Sequence, residues 1–200
     1  MTAPSPDDVL EFWLGELDDT GRASDEIAQR WWRKSQAFDT ECNDRFAETH
    51  AAIARGDLES WLDTPRGRVA YVIVLDQLSR NMFRGDAKMY SADPLALEAA
   101  LDGVDAGVDK QLGYHERYFL YMPLMHAEDL ALQERCIALF RSLGDDFPDQ
   151  KENAAKAVDF AERHRDIVAR FGRFPHRNAI LGRPDTPEES AFLEEPNSGF

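Results

Sequence analysis

Cysteine is scarce in this chain. Cys42 and Cys136 are the only two in 200 residues, and they stand far apart. They form neither a CxxC pair nor a zinc spacing, so no disulfide framework and no metal site is expected. Each falls within a helical pattern, where a buried free thiol is the default. Long apolar runs are missing too. The longest, Val69 to Leu75, is far too short to span a bilayer. Met1 to Asp8 holds Pro4, Pro6 and two acids, without the basic and apolar regions of a secretion signal. These absences point to the reducing cytoplasm. Positive charge is also in deficit: 23 bases face 38 acids, a net charge of -15. Such a chain repels phosphate backbones and anionic headgroups, which argues against nucleic-acid and membrane partners. Common catalytic fingerprints are absent as well. No glycine-rich phosphate loop, GxSxG elbow or dinucleotide motif occurs. His115-Glu116 begins like a zinc-protease motif, but Phe119 stands where the second histidine belongs. No cofactor is expected.

What is present is a globular composition, 43% hydrophobic and 30% charged, long enough to bury a full core. Most of the chain reads in a helical period with helical punctuation. Ser5-Pro6 opens a first helix and Ser24 a second, while Gly15 to Ala23 is a polar loop. Phe38 to Arg55 carries Phe38, Cys42, Phe46, Thr49 and Ile53 at three- and four-residue steps and stops at Gly56. Leu58, Trp61 and Leu62 suggest a short turn. Arg68 to Phe83 is ambiguous, since its β-branched run also suits a buried strand. Its length and the lack of a partner strand favour a buried helix. Asp93-Pro94 opens another helix to Asp105. Further helices are expected over Tyr114 to Tyr121, broken by Pro123, then His126 to Leu143 and Gln150 to Phe171. Phe174 to Pro184 reads as a loop. Thr186-Pro187-Glu188-Glu189 is a capping box, and Glu195 to Phe200 a frayed tail. The expectation is one all-α domain over residues 1–200, with eight or nine helices in stacked antiparallel hairpins.

Three polar features could carry chemistry. Asp76, Gln77, Arg80, Asn81 and Arg84 fall within about 140° of the buried helix. They are either an Asp76–Arg80 structural pair with its neighbours or the floor of a cleft. His126, Asp129 and Gln133 are spaced to share one helix face, where Asp129 either orients the imidazole or caps a helix. Arg170 to Asn178 adds Arg173, His176, Arg177 and Asn178. Arg163 to Arg183 holds six arginines against one acid, and Arg66 to Lys88 five bases against two acids. Together these segments carry +8, so the remainder must hold -23. Arginine forks suit a carboxylate or phosphate ligand, or the protein's own acids and helix ends. His164 falls on an apolar helix face as a hydrogen-bonded core histidine, whereas His50 and His115 read as surface residues. Trp13, Trp31, Trp32 and Trp61 are most simply core, though some could line a pocket.

Four segments, 9–13, 75–85, 121–129 and 170–178, together resemble the uncharacterised, mainly bacterial family catalogued as domain of unknown function 924. Their cores read Val9-Leu10-Glu11-Phe12-Trp13, Leu75-Asp76-Gln77-Leu78-Ser79-Arg80-Asn81, Met125-His126-Ala127-Glu128-Asp129 and Arg173-Phe174-Pro175-His176-Arg177-Asn178. The resemblance runs from about residue 6 to 194 and includes Leu181-Gly182-Arg183. One departure is Ser79, where the family commonly has proline. The resemblance implies a tetratricopeptide-like superhelical all-α fold and no particular activity. Two functions remain open. One is a small anionic ligand held by Arg80, Arg84, Arg173 and Arg177, helped by Gln77, Asn81 and Asn178. His126 or His176 would then move a proton, oriented by Asp129 or Asp76. The other is a scaffold for a protein or peptide partner, with the polar motifs as a structural ion network.

Overall fold

The computed structural model describes residues 4–196 together with 198 and 199. Helix starts follow the side chains that satisfy orphan backbone N–H groups. Helix α1 (Pro6–Leu14) opens on a capping box in which Ser5 and Asp8 bond reciprocally. Ser24 caps α2 (Asp25–Trp32), and Ser35 caps α3 (Gln36–Ala54). Thr64 caps α4 (Pro65–Val72), with Pro65 in the first turn. Then come α5 (Ser79–Met82), α6 (Asp93–Asp105), α7 (Tyr114–Met125), α8 (Leu130–Asp146) and α9 (Lys151–Phe171). The chain closes with α10 (Asn178–Leu181) and α11 (Pro187–Leu193), the latter on the expected Thr186–Glu189 box. Among the described residues no strand forms; the 15–23 loop contributes one isolated bridge, Leu17 to Ala23. The fold is all-α.

The ambiguous apolar run is helical, and it is the centre of the molecule. Helices α4 and α5 join through a π-helical stretch, Ile73–Leu78, into one rod. Val69 to Leu75 is almost completely buried, packed by α1, α3, α6 and α7. Its backbone satisfies itself, which a lone strand could not do. Counting that rod once, ten helical rods are described, one or more above expectation. The extra turns lie in the 174–184 segment read as a loop, where Pro175–Arg177 and α10 form.

Two other boundaries differ from expectation. Helix α7 does not stop at Pro123 but continues to Met125. Proline there removes one backbone bond, yet every residue from Phe119 to Met125 except Pro123 is an apolar or aromatic core member, and packing outweighs the loss. The next helix does not begin at His126. Asp129 Oδ1 accepts the Leu132 N–H at 3.0 Å and starts α8 at Leu130, so His126 closes α7.

One large core gathers most of the apolar side chains. Trp13, 1% exposed, meets Phe119 edge-on at 5.7 Å and stacks with Trp31 at 6.4 Å. Burying one such ring contributes on the order of 3 kcal/mol. Cys42 and Cys136 are buried free thiols, as expected. A smaller cluster of Ile167, Val168, Phe174 and Phe192 seats α11 on the end of α9. Part of the 195–200 tail reading, at 197 and 200, lies outside the described residues, as do residues 1–3. Ser198 Oγ donates to the Leu193 carbonyl at 3.1 Å, so that part of the segment is tied back to α11.

Candidate functional site

A cavity of about 720 Å³ opens where α2, α5, α7, α9 and the 175–177 turn converge. Each long wall is one stripe of a helix. Tyr114, Tyr118, Met122 and His126 lie at four-residue steps along α7 and its cap. Lys156, Phe160 and Arg163 line it from α9, and Gln77, Arg80 and Arg84 from the central rod, at three- and four-residue steps. The end of α2 adds Trp31, Trp32, Arg33 and Lys34. Among the described residues, eight Arg and Lys side chains line the cavity against one carboxylate, Asp25, which pairs with Arg22. In a chain of net charge -15 this is a strong local inversion.

The floor is a compact polar cluster carried by the π-helical stretch. A π turn takes one more residue than an α turn, and such bulges are frequent at functional sites. Here the stretch turns Asp76 wholly into the interior, 0% exposed, behind the cavity wall. Asp76 Oδ1 contacts His126 Nδ1 at 2.7 Å and Arg80 Nη1 at 3.2 Å, while Oδ2 accepts from Gln77 Nε2 at 2.6 Å. Burial alone would raise this carboxyl. Arg80, His126 and Gln77 overcome it and hold Asp76 well below the usual carboxylate range. A carboxylate only accepts, so Nδ1 of His126 carries the proton. Burial and then Arg80 push the His126 pKa down despite Asp76, which favours the neutral ring. The edge opposite Asp76, Nε2, then keeps its lone pair. The ring lines the cavity with 11% of the side chain exposed.

Arg80 is the hub beside this dyad. It donates from Nη1 and Nη2 to the two oxygens of Asp93, both at 3.0 Å, and from Nη1 to the Asp76 carbonyl at 2.6 Å. Arg177 donates to the His126 carbonyl at 3.0 Å, lies 3.6 Å from Asp93, and is sandwiched between Tyr90 and Phe174. Asp93 is therefore a site residue that sequence reasoning passed over. Asp93-Pro94 opens α6 as expected, but Ala92 is the cap position and Asp93, in the first turn, gives its side chain to Arg80.

The other histidines are neutral for local reasons. His164 Nδ1 bonds the Phe160 carbonyl at 2.8 Å, and burial lowers its pKa to about 3. It is the hydrogen-bonded core histidine expected, and it also lines the cavity. His176 lines it too, lowered to about 4 by burial and by Arg177. The reading of His50 and His115 as surface residues is wrong; each is only 8% exposed. His115 Nδ1 accepts the Ala23 N–H at 2.8 Å, and burial lowers its pKa to about 4. For His115 the 3.6-residue period hid this, because α7 is enclosed on nearly every side.

Of the nominated residues, Asp76, Gln77, Arg80, Asn81, Arg84, His126, His176 and Arg177 meet at this cavity or directly behind it. Three do not. Asp129 is the α8 cap and makes no contact with His126 that would orient it, because the two residues end different helices. Arg173 forks onto Glu189 at 2.6 and 2.7 Å and donates to the Pro184 carbonyl, pinning α11. Asn178 is buried between Asp185 and Arg183. Arg84, though lining the cavity, forks onto Asp39 at 2.7 and 2.9 Å, with Asn81 on the same carboxylate at 2.8 Å. Glu128 forms the matching structural hub at the other end, accepting the Phe174 N–H and the Arg183 fork. Among the described residues, no group of three His, Cys, Asp or Glu could hold a metal ion, and no helix is long and apolar enough to cross a membrane.

Fold and site together define an all-α protein with an open Arg- and His-lined cleft, into which His126 and Arg80 face and behind which Asp76 is buried. The chain matches the family described as bacterial protein of unknown function (DUF924) over residues 9–197, and it belongs to that family. It is also similar to a solved protein of unknown function from Agrobacterium tumefaciens. That structure is 40% identical, the match covers 96% of this chain and 97% of the other, and the TM-score is 0.80. No curated protein matches.

Proposed function

We propose that the cavity binds a small organic anion and that His126, held by Asp76, exchanges a proton with it. The observation that carries this reading is the lining: among the described residues, eight cations against one acid in a strongly acidic chain. Aromatic side chains supply the apolar surface that ligand sites of several hundred Å³ usually have. A neutral imidazole fixed by a buried carboxylate supplies a general base beside that surface. Arg80, Arg177, Gln77, Asn81 and His176 shape the floor, and Arg84 contributes to the wall. Arg173, Asn178 and Asp129 act on the scaffold.

The test is a thermal-shift screen of phosphorylated and carboxylated metabolites. A ligand at 100 times its dissociation constant adds about 2.7 kcal/mol, or about 5–11 °C in Tm for a chain this size. Absence of any shift at millimolar concentrations, in the parent and in His126→Ala alike, would end the proposal.

A second reading is supported by the internal pairing of Arg84, Arg173 and Arg183, each of which forks onto a carboxylate of this same chain. In it the motifs are an ion network specifying a single tetratricopeptide-like domain that captures a peptide or protein partner. A stoichiometric partner from a pull-down, retained by His126→Ala, would favour it. Under either reading two free thiols suit the cytoplasm, and the net charge disfavours nucleic acid and membrane surfaces.

A further inference from the structure

We infer that the ligand is an elongated aromatic anion bound with its charge at the cavity rim, on Arg33, Lys34 and Lys156, and with a neutral polar end against His126. This rests on the proposal that the cavity binds an organic anion, and it moves the anion site away from the arginines of the floor. Those arginines are already compensated. Arg80 contacts Asp76 at 3.2 Å and forks onto Asp93, and Arg177 shares Asp93 at 3.6 Å. Two guanidiniums thus face two carboxylates, and burial and Arg80 hold the neighbouring His126 below its ordinary pKa. A ligand carboxylate or phosphate seated there would have to displace a two-bonded pair with both contacts at 3.0 Å.

The rim is different. Arg33, Lys34 and Lys156 line the same cavity, and among the described residues none of the three side chains has an ion-pair partner. They come from two elements that both line the cavity: the end of α2 and the first half of α9. Each element sets an aromatic ring beside its cation. Trp32 directly precedes Arg33, and Phe160 lies one turn after Lys156. Trp32 is the most exposed large apolar side chain described, 54% accessible, and its ring meets Trp31 and Tyr118 edge-on at 6.4 Å. An isolated phosphate or carboxylate would leave most of the roughly 720 Å³ unfilled. A planar ring against Trp32, Tyr118 and Phe160 covers part of that aromatic wall and separates a charged end at the rim from a protic end at His126 Nε2.

The experiment compares four probes by isothermal titration and tryptophan quenching: para-hydroxyphenylpropionate, its neutral amide, succinate and inorganic phosphate. The variant is Arg33→Gln/Lys34→Gln/Lys156→Gln, three exposed substitutions whose Tm is expected to equal that of the parent. The aromatic anion should bind at least tenfold more tightly than the other three, and added salt should weaken it. Each exposed charge contact is worth a factor of about 2–5, so the triple variant should lose on the order of tenfold or more. If the amide binds as well as the acid, or the triple variant binds as the parent does, the rim assignment is overturned. Binding of succinate or phosphate in preference to the aromatic anion overturns it too, while the broader anion-binding proposal stands. If none of the four binds, the rim assignment is overturned, and the metabolite screen decides the broader proposal.

Discussion

Asp76→Asn is the most informative single change. The substitution keeps shape and removes one buried negative charge. In the native structure that charge faces His126 Nδ1 at 2.7 Å, Arg80 at 3.2 Å and Gln77 at 2.6 Å, with no exposure to water. Asparagine can keep its oxygen toward His126 and Arg80, and Gln77 can turn its amide end for end to accept from the new NH₂. The hydrogen bonds then survive and the loss is electrostatic. Removing one partner of a buried pair costs about 3–5 kcal/mol. Arg80 retains both bonds to Asp93, which places the cost at the low end, about 3 kcal/mol. For a 200-residue chain this is a fall in Tm of about 6–12 °C. Urea denaturation at neutral pH measures the change directly. Imidazole nitrogen NMR adds an independent readout, since native His126 should show protonated Nδ1 and unprotonated Nε2. A stability loss under 1 kcal/mol, or a native His126 protonated on Nε2, would refute the reasoning.

Four further outcomes follow from the same contacts. Gly21→Ala should destabilise severely, because a Cβ there meets Gly113 Cα at 2.4 Å and Tyr114 N at 2.7 Å with φ at +78°; the drop in Tm checks it. Stability should fall as pH drops from about 6.5 toward 4. The folded pKa of His115 is depressed from 6.5 to about 4, so the unfolded chain binds the proton first and the native advantage disappears on acidification. That one group is worth on the order of 3 kcal/mol, and His115→Phe should flatten this part of the urea-measured pH profile. Arg173→Ala should lower Tm by releasing Glu189 and α11, yet leave ligand affinity unchanged in calorimetry. Cys42 and Cys136 should resist a thiol reagent until unfolding, since both are fully buried and burial pushes the Cys42 thiol up to about 12.

Local chemistry was enough to read much of this protein from its residues. Ser5, Ser24 and Thr186 announce helix starts because a cap needs only neighbours within one turn. Gly172, at φ +68°, ends α9 for an equally local reason. The buried run at Val69–Leu75 was legible as helix because a lone strand leaves its backbone unpaired. Asp76, Arg80, His126 and Arg177 were legible as polar groups on apolar elements. Their partners were not. Asp129 and Asp76 were equal candidates to orient His126, until the start of α8 assigned Asp129 to a cap. Arg173 and Arg177 stand four residues apart, yet one pins α11 and the other lies over Tyr90 at the cavity. The rim cations Arg33, Lys34 and Lys156 had no periodic signal among so many surface charges. The stripe from Tyr114 through Tyr118 and Met122 to His126 did have one, obscured because α7 is buried almost all round. Capping and periodicity act over a few residues and are written into the chain. Charge pairing acts between elements tens of residues apart, so packing alone settled which arginine meets a carboxylate and which cation is left facing the cavity.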